Sequence, residues 1–282
     1  MSDSRVWLVT GASGGFGLAL VREVLAAGHR VAATSRDIDK LREAVTAGAA
    51  DPGDRFLPLT MQVTDEADIR RGVEATVEKF GRIDVTVNNA GYILVGGIEE
   101  LTDQEIRTNF DINVFGMMNV IRGVMPVYRR QKGGYFLNIA SISGSTTAPG
   151  QAVYSATKAA VILLTEALDA EGRDFNVRAT AVCPGGMRTN FLGGSARFPK
   201  TPMPEYESVR QYEQSYRNLN QHQSGDPVKA ARALIGLAAS ANPPARIYLG
   251  ADSLNAIERK LMEVAQEVSE YRDMSLSTRF DH

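Results

Sequence analysis

The sequence predicts an α/β fold, in which a doubly wound parallel sheet lies between two layers of helices. Short apolar runs rich in Val, Ile and Ala alternate with longer segments whose apolar residues recur at helical spacing. Such alternation favours parallel strands joined by right-handed helical crossovers. A glycine-rich turn also lies between the first apolar run and the first helical segment, which is the usual place of a nucleotide-binding turn.

Periodicity and turn residues assign the elements in order along the chain. Strands are predicted at 5–10, 30–34, 56–61, 85–88, 135–139, 177–182 and 246–248. Helices are predicted at 18–27, 38–47, 66–80, 103–130, 152–172, 228–239 and 253–271. We expect residues 1–282 to form a single domain, since 282 residues with 44% hydrophobic content can build one large core.

Charge and cysteine content narrow the class of protein. A formal charge of −2 without blocks of like charge argues against nucleic acid and membrane surfaces as partners. The single cysteine, Cys183, excludes an internal disulfide framework and is typical of a reducing compartment. The N-terminus lacks the apolar run of a signal peptide, and no run approaches the roughly 20 apolar residues of a membrane span. We therefore expect a cytoplasmic protein.

The stretch 190–224 interrupts the alternation of strands and helices. It is polar, with scattered aromatic residues and prolines, and loops of this length are usually functional or disordered. We interpret it as a substrate-covering segment with some helix over 205–221, mobile without ligand and ordered over bound substrate. The alternative is a solvated surface loop that does not cover the substrate.

Candidate catalytic residues surround the start of the helix predicted at 152–172. Tyr154 and Lys158 are four positions apart and share one helix face. A cation beside a phenol favours the phenolate, which makes proton transfer accessible closer to neutral pH. Ser141 follows the strand predicted at 135–139, so it lies at a carboxyl end, where open α/β sheets bind ligands. The Tyr/Lys pair alone is weak evidence, because a packed aromatic and a solvated lysine give the same spacing.

The glycine turn supplies the second set of candidates. Gly11, Gly15 and Gly17 would let the backbone turn tightly and approach a pyrophosphate that rests on the helix N-terminus. Because a predicted strand precedes the turn and a predicted helix follows it, the context that this fingerprint requires is present.

Taken together, the motifs resemble those of the short-chain dehydrogenase/reductase family over residues 4–250. They are Thr10-Gly11-x-x-x-Gly15-x-Gly17, Asn88-Asn89-Ala90-Gly91, Asn113, Ser141, Tyr154-x-x-x-Lys158, and Pro184-Gly185 followed by Thr189. The resemblance implies a Rossmann-type, three-layer αβα domain that interconverts a carbonyl and an alcohol with a nicotinamide cofactor.

The resemblance also implies the catalytic roles. Tyr154 would protonate the carbonyl oxygen while NAD(P)H delivers hydride to its carbon, and Ser141 would hold that oxygen. Lys158 would lower the pKa of the phenol and bind the nicotinamide ribose. Asn113 would anchor a water that links Lys158 to solvent, and its helix is expected to bulge there. In this scheme the cofactor supplies the hydride, and the protein orients the reactants and transfers the proton.

The cofactor-binding residues that the resemblance implies are spread along the whole chain. They are Gly11, Ser13, Gly15, Phe16, Gly17, Ser35, Arg36, Gln62, Val63, Asn89, Ala90, Gly91, Tyr154, Lys158, Pro184, Gly185, Met187 and Thr189. For Asn89, a structural role and direct contact both stay open. Gln62 stands where the family usually has aspartate, and its side-chain carbonyl can still accept a hydrogen bond from adenine. No metal ligands are predicted.

The end of the second strand predicts which cofactor binds. NAD-binding chains place an acidic residue about 20 residues past the glycine turn, whereas this chain has Ser35 followed by Arg36. A guanidinium can pair bidentately with a 2′-phosphate that a carboxylate would repel, so NADP(H) is expected over NAD(H). Alternatively Arg36 is a solvated charge and Asp37 binds the ribose, but Asp37 is better placed to cap the next helix.

An apolar pocket wall predicts a hydrophobic ketone, aldehyde or alcohol as the small-molecule substrate. Ile93 and Phe191 are its expected contacts, together with Ser141 and Tyr154. A nucleotide-binding redox-sensing regulator is the alternative function, but such relatives tend to lose the Tyr/Lys pair. Extended-branch epimerases and dehydratases have a Gly-x-x-Gly-x-x-Gly turn, which this chain lacks. The resemblance further implies a homo-dimer or homo-tetramer.

Residues 251–282 are expected to form a C-terminal helical extension that lies beyond the part of the chain covered by the resemblance. Asp252 and Ser253 are an N-cap signal. The apolar residues that follow recur at helical spacing: Ile257, Leu261, Val264, Ala265 and Val268. We expect an amphipathic helix that packs on the core of its own chain, the alternative being a helix that restricts tetramer contacts.

Overall fold

A computed structural model describes residues 4–48 and 51–280. Its strands are β1 (Val6–Val9), β2 (Arg30–Ser35), β3 (Phe56–Thr60), β4 (Val85–Asn88), β5 (Ile93–Leu94), β6 (Gly134–Ile139), β7 (Val177–Pro184), β8 (Ala196–Arg197) and β9 (Arg246–Leu249). Its helices are α1 (Gly15–Ala26), α2 (Ile38–Thr46), α3 (Glu66–Phe80), α4 (Asp103–Phe110), α5 (Gly116–Gln131), α6 (Ala152–Gly172), α7 (Phe191–Gly194), α8 (Glu207–Leu219), α9 (Pro227–Ala238), α10 (Ala251–Glu270) and α11 (Arg272–Leu276).

The central sheet has seven parallel strands in the order β3-β2-β1-β4-β6-β7-β9. Strand β1 pairs with β2 on one side and with β4 on the other, so the winding direction reverses there. In such sheets a crevice opens outside the carboxyl ends of the strands at the reversal point. The predicted doubly wound parallel sheet is confirmed, and the crevice fixes where the site is built.

Successive residues of a strand point to opposite faces of the sheet, so they belong to two separate cores, one on each face. Trp7 and Val9 pack with the buried residues of α1, α2 and α9. Leu8, between them in sequence, packs with those of α3, α5 and α6. All three of these β1 side chains are fully buried. The predicted three-layer αβα arrangement is therefore confirmed.

The bulge expected at Asn113 is present as a π turn over Asp111–Phe115, between α4 and α5. The turn directs the Asn113 side chain to the loop after β4. Its Oδ1 accepts a hydrogen bond from the Tyr92 N–H at 3.0 Å, and its Nδ2 donates to the Tyr92 carbonyl at 3.0 Å. Gly116 follows directly, and a Cβ there would lie 2.6 Å from Val63. The missing side chain thus lets α5 approach the cleft wall closely.

Within 190–224 the structure contains α7, β8 and α8. Helix α8 matches the helix expected at 205–221. Strand β8 pairs in parallel with β5 in a separate two-stranded sheet, which sequence analysis did not predict. Strands of two residues show no alternation along the chain, so periodicity cannot reveal them.

Two predictions about the C-terminal extension are wrong. Helix α10 starts at Ala251 after Gly250, whose φ of 103° suits glycine, so Asp252 and Ser253 lie inside the first turn and do not cap it. The Asp252 carboxylate instead accepts a hydrogen bond from the Gly186 N–H at 2.7 Å, and the Ser253 hydroxyl donates to the Cys183 carbonyl at 2.8 Å.

The expected packing of this extension on its own core is correct only for its first turns. Ile257 is buried, but Leu261 and Val268 are each 62% exposed. The helix therefore leaves the domain surface after its second turn. None of the helices described in the structure is both long and apolar enough to cross a membrane.

Candidate active site

A cleft of about 1250 Å³ runs along the carboxyl ends of the strands. Its walls contain every predicted site residue except Gly17 and Asn113: Gly11, Ser13, Gly15, Phe16, Ser35, Arg36, Gln62, Val63, Asn89, Ala90, Gly91, Ile93, Ser141, Tyr154, Lys158, Pro184, Gly185, Met187, Thr189 and Phe191. Residues more than 170 positions apart in sequence thus meet in one continuous cavity.

Glycine is required at three positions of the first turn, for two different reasons. Gly11 and Gly15 have φ of 65° and 57°, a left-handed conformation that side chains disfavour. Gly17 has no positive φ, but a Cβ there would lie 2.5 Å from Asn89 Nδ2. Gly17 therefore allows α1 to pack against the loop after β4 and does not itself line the cleft.

The first turn of α1 offers an anion site. Gly14 precedes the helix and no side chain caps it, so its leading N–H groups are open to the cleft that Ser13, Gly15 and Phe16 line. Uncapped N–H groups and the helix dipole favour negative charge at this end. The cofactor's diphosphate fits this position.

Hydrogen bonds join the turn after β1 to the turn after β4. The Thr10 hydroxyl accepts the N–H groups of Asn89 and Ala90 at 3.0 and 3.1 Å. Asn89 Nδ2 donates to the carbonyls of Thr10 and Gly11 at 3.0 Å each. The Asn89 amide thus holds the glycine turn in place, while other atoms of the residue still reach the cleft wall.

At one end of the cleft, Ser35 and Arg36 are joined by Lys40, which sequence analysis missed. Asp37 caps α2 by accepting the Lys40 N–H at 3.0 Å, as predicted, and it does not line the cleft. Arg36 precedes the N-cap of α2 and Lys40 lies in its first turn, so helical spacing does not link the two cations. This end therefore presents two cations and a hydroxyl, a chemistry that fits a phosphate.

At the opposite end, Pro184, Gly185, Met187 and Thr189 are joined by two residues that sequence analysis missed, Asp252 and Gln223. Gln223 is 2% exposed and donates its Nε2 to the Thr189 carbonyl at 3.4 Å. Its buried Oε1 has no hydrogen-bond partner among residues 4–48 and 51–280. A buried acceptor without a partner is costly, so a donor such as a carboxamide N–H fits here.

Between the two ends lie Ser141, Tyr154 and Lys158, all at most 9% exposed. Ser141 Oγ accepts the Ser143 N–H at 3.1 Å, which leaves its proton free to donate. Lys158 Nζ donates to the Ile139 carbonyl at 2.7 Å and lies 5.7 Å from the centre of the Tyr154 ring.

Burial dominates the pKa values of this group. It raises the pKa of Tyr154 to about 12, against which the Ser141 hydrogen bond acts weakly. It lowers the pKa of Lys158 to about 8. In this arrangement the Lys158 ammonium donates to the Ile139 carbonyl and desolvation sets the direction of the Tyr154 pKa shift. The lowering of that pKa by Lys158 stays a prediction.

The substrate side of the cleft combines an apolar cluster with a buried polar pair. Ile93 and Tyr154 pack with the aromatic rings of Phe191, Phe198 and Tyr216, which belong to the segment 190–224. Gln151, one helical turn before Tyr154 and 2% exposed, donates its amide to the Tyr216 hydroxyl. Sequence analysis did not predict this pair, because its members are 65 residues apart.

A buried ion pair holds α8 over the cleft. The Glu100 side chain is fully buried and accepts hydrogen bonds from the N–H groups of Gly97 and Met203 at 2.6 and 2.7 Å. Both its oxygens also accept from Arg210 Nη2 at 2.7 Å. Arg210 belongs to α8, so this contact ties the segment 190–224 to the body of the domain.

Replacing Arg210 by methionine is expected to loosen α8. Removing a charged hydrogen-bond partner costs about 1.5–3 kcal/mol, so amide exchange over 207–219 should speed up by about 10- to 100-fold. Arg107→Met is the matched control, because Arg107 pairs with Asp103 on an exposed helix surface. Equal exchange of α8 in both variants would show that the ion pair does not hold it.

Comparison with known proteins gives four findings. A family model described as short chain dehydrogenase matches residues 5–198. Oxidoreductase BOA17 of Botryotinia fuckeliana is 30% identical over 98% of this chain and 99% of its own length. A 3-ketodihydrosphingosine reductase of Bacteroides thetaiotaomicron is 32% identical over 87% and 88%. The crystal structure of a short-chain dehydrogenase from Streptomyces avermitilis superposes with a TM-score of 0.89 at 36% identity, over 98% of this chain and all of that one.

Proposed function

The chain belongs to the short-chain dehydrogenase family, whose members are oxidoreductases with an NAD(P)-binding fold, and we propose that it interconverts a hydrophobic ketone or aldehyde and its alcohol with NADP(H). The observation that carries the proposal is the position of Tyr154, Ser141 and Lys158. All three are buried and line the same cleft as the glycine turn and the apolar residues Ile93 and Phe191. A carbonyl held there would contact a proton donor and a second hydroxyl at once.

The residues along the cleft would bind the cofactor in sections. The first turn of α1 would hold the diphosphate, and Arg36 and Lys40 would hold the 2′-phosphate. Gln223 Oε1 and the backbone from Pro184 to Thr189 would hold the carboxamide. When bound, the nicotinamide would supply hydride to the carbonyl carbon in reduction.

Tyr154 is the proposed proton donor. With its pKa raised to about 12, the phenol carries its proton at neutral pH and can give it to the carbonyl oxygen as negative charge develops there. Ser141, whose proton is free, would hydrogen-bond the same oxygen. The Lys158 ammonium would stabilise the phenolate that remains. Asn113 would act as a positioning residue, since its side chain fixes the loop that carries Tyr92.

The pH dependence of reduction should report the ionisation of Lys158. Its folded pKa of about 8 lies below the usual 10.5, so the lysine is charged below pH 8 and neutral above it. We therefore expect kcat/KM for reduction to be level below about pH 8 and to fall about tenfold per unit above it. In Lys158→Arg, which keeps the charge, any remaining activity should lose this fall. A wild-type profile level to pH 10 would contradict the assignment.

The polar pair of Gln151 and Tyr216 narrows the substrate class. It offers a hydrogen-bonding group beside the apolar cluster that contains Tyr154. A hydrophobic ketone with a hydroxyl or amide near the carbonyl would use it. The relative named as a 3-ketodihydrosphingosine reductase, whose name specifies a ketone, supports a panel that includes such compounds.

A carbonyl panel read by NADPH oxidation tests the proposed function. It should include medium- and long-chain ketones and aldehydes, each with and without a neighbouring hydroxyl, and Tyr154→Phe as the blank. Turnover of at least one class above the blank is expected. NADPH binding with no turnover of any member would instead favour a nucleotide-binding regulator.

A further inference from the structure

Helix α10 carries an apolar stripe with the spacing of a coiled coil. Six residues alternate at intervals of three and four along α10 and the residue after it: Leu254, Ile257, Leu261, Val264, Val268 and Tyr271. This is a heptad pattern with apolar a and d positions, typical of a helix that pairs with another helix. Ile257 packs on its own domain, but the other five are 40% to 62% exposed.

The exposed part of the apolar stripe is long enough to indicate an interaction site. Helix α10 has 20 residues and is therefore about 30 Å long. Beyond Ile257, nothing in residues 4–48 and 51–280 buries its apolar face. Contiguous exposed apolar surface of this kind marks an interaction site, and a helix that projects into water gains stability mainly by packing that face.

We propose that α10 pairs antiparallel with α10 of a second copy of this chain, about a two-fold axis near its middle. In an antiparallel pair each a residue faces a d residue of the partner. Centring the pair between Met262 and Glu263 places Leu261 opposite Val264 of the partner subunit. Val268 then lies level with Ile257 of the partner subunit, and because Ile257 is buried against its own domain, Val268 meets the edge of that domain. The stripe is thus complementary to itself, as a two-fold interface requires.

The flanking charges select the same register. Centred in this way, Lys260 lies opposite Glu267 of the partner subunit, and the symmetry repeats the pair on the other side. Sliding the helices until Glu267 faces Glu267 of the partner subunit would replace this attraction by repulsion. Lys260 now lies 3.5 Å from Glu263 of its own helix on an exposed surface, a weak pair that can be exchanged for the one between subunits.

Charge also favours a second copy over a membrane surface as the occupant. Residues 251–273 contain three basic and six acidic side chains, a net charge of −3. Anionic lipid would repel such a helix, because binding to it relies on lysine and arginine. This inference rests on α10 alone and is independent of the proposed function.

The particle mass of the full-length protein tests the pairing. Light scattering on a sizing column at about 50 µM should give at least twice the chain mass for the wild type, since a two-helix contact is at the small end of specific interfaces. Leu261→Glu with Val268→Glu should halve that mass. Both side chains are 62% exposed, so the fold should survive, as a melting curve would verify. A monomeric wild type, or an unchanged mass in the variant, would overturn the proposal.

A charge exchange tests the register. Lys260→Glu and Glu267→Lys should each weaken association by about 10-fold, since two attractions become repulsions. The double variant should restore it. Glu270→Lys, which lies off the predicted contact, is the matched control and should change association little. A double variant no tighter than the single ones would refute this register, and flotation of the wild type with phosphatidylserine vesicles would show that lipid covers the stripe instead.

Discussion

Replacing Tyr154 by phenylalanine is expected to lower turnover by about 100-fold or more, the scale of a positioned general acid. The change removes only the hydroxyl. The ring keeps its packing against Ile93 and Leu192, and the cleft walls that would hold the cofactor stay intact. Affinity for NADPH, measured by fluorescence titration, should therefore stay close to that of the wild type while kcat falls.

Three companion variants make the Tyr154 result specific. Ser141→Ala should lose turnover without losing cofactor, whereas Lys158→Ala should lose both. Tyr212→Phe is the matched control, because Tyr212 also lines the cleft but packs in a tilted arrangement on Tyr216, at 5.0 Å between ring centres, and has no assigned proton to transfer. If Tyr154→Phe turned over as fast as Tyr212→Phe, the proton donor would have to be another group.

The second prediction with a large expected effect is a change in cofactor preference. The double change Ser35→Asp and Arg36→Ile is expected to move preference from NADPH toward NADH by one to two orders of magnitude. Loss of a charged hydrogen bond to the 2′-phosphate costs about 1.5–3 kcal/mol, and the new carboxylate would repel the phosphate and accept the ribose hydroxyls of NADH. The measurement is kcat/KM for both cofactors in both proteins.

Neighbouring basic residues supply the controls for this experiment. Adding Lys40→Ala should move the preference further, since Lys40 lines the same end of the cleft. Arg42→Ile should leave the preference unchanged, because Arg42 is on the same helix but outside the cleft. An unmodified protein that uses NADH as well as or better than NADPH would show that Arg36 does not bind the phosphate.

The sequence determined the parts of this protein that depend on near neighbours in the chain. The four-residue spacing of Tyr154 and Lys158 places them on one helix face whatever the helix packs against. Alternating strands and helices leave few topologies open, and in those the carboxyl ends of the strands meet at one edge. The turn at Gly11 and the serine after β6 could therefore be placed from the sequence, whereas the bulge at Asn113 was expected only from the family resemblance.

Contacts between distant residues were decided only by the tertiary structure. Gln151 meets Tyr216, Glu100 meets Arg210, and Asp252 reaches the backbone at Gly186. No periodicity links residues so far apart. The direction of the Tyr154 pKa shift was also beyond the sequence, because it depends on how completely the phenol is desolvated.

Helix α10 shows most clearly which features the sequence determines and which features only the tertiary structure decides. Its apolar spacing indicated an amphipathic helix, and the structure has one. The same spacing suits a helix buried on its own domain and a helix that pairs with another chain, since both need one apolar face. The two differ only in the direction that the helix takes after Gly250. Direction is set by packing around β7 and β9, which no local pattern encodes.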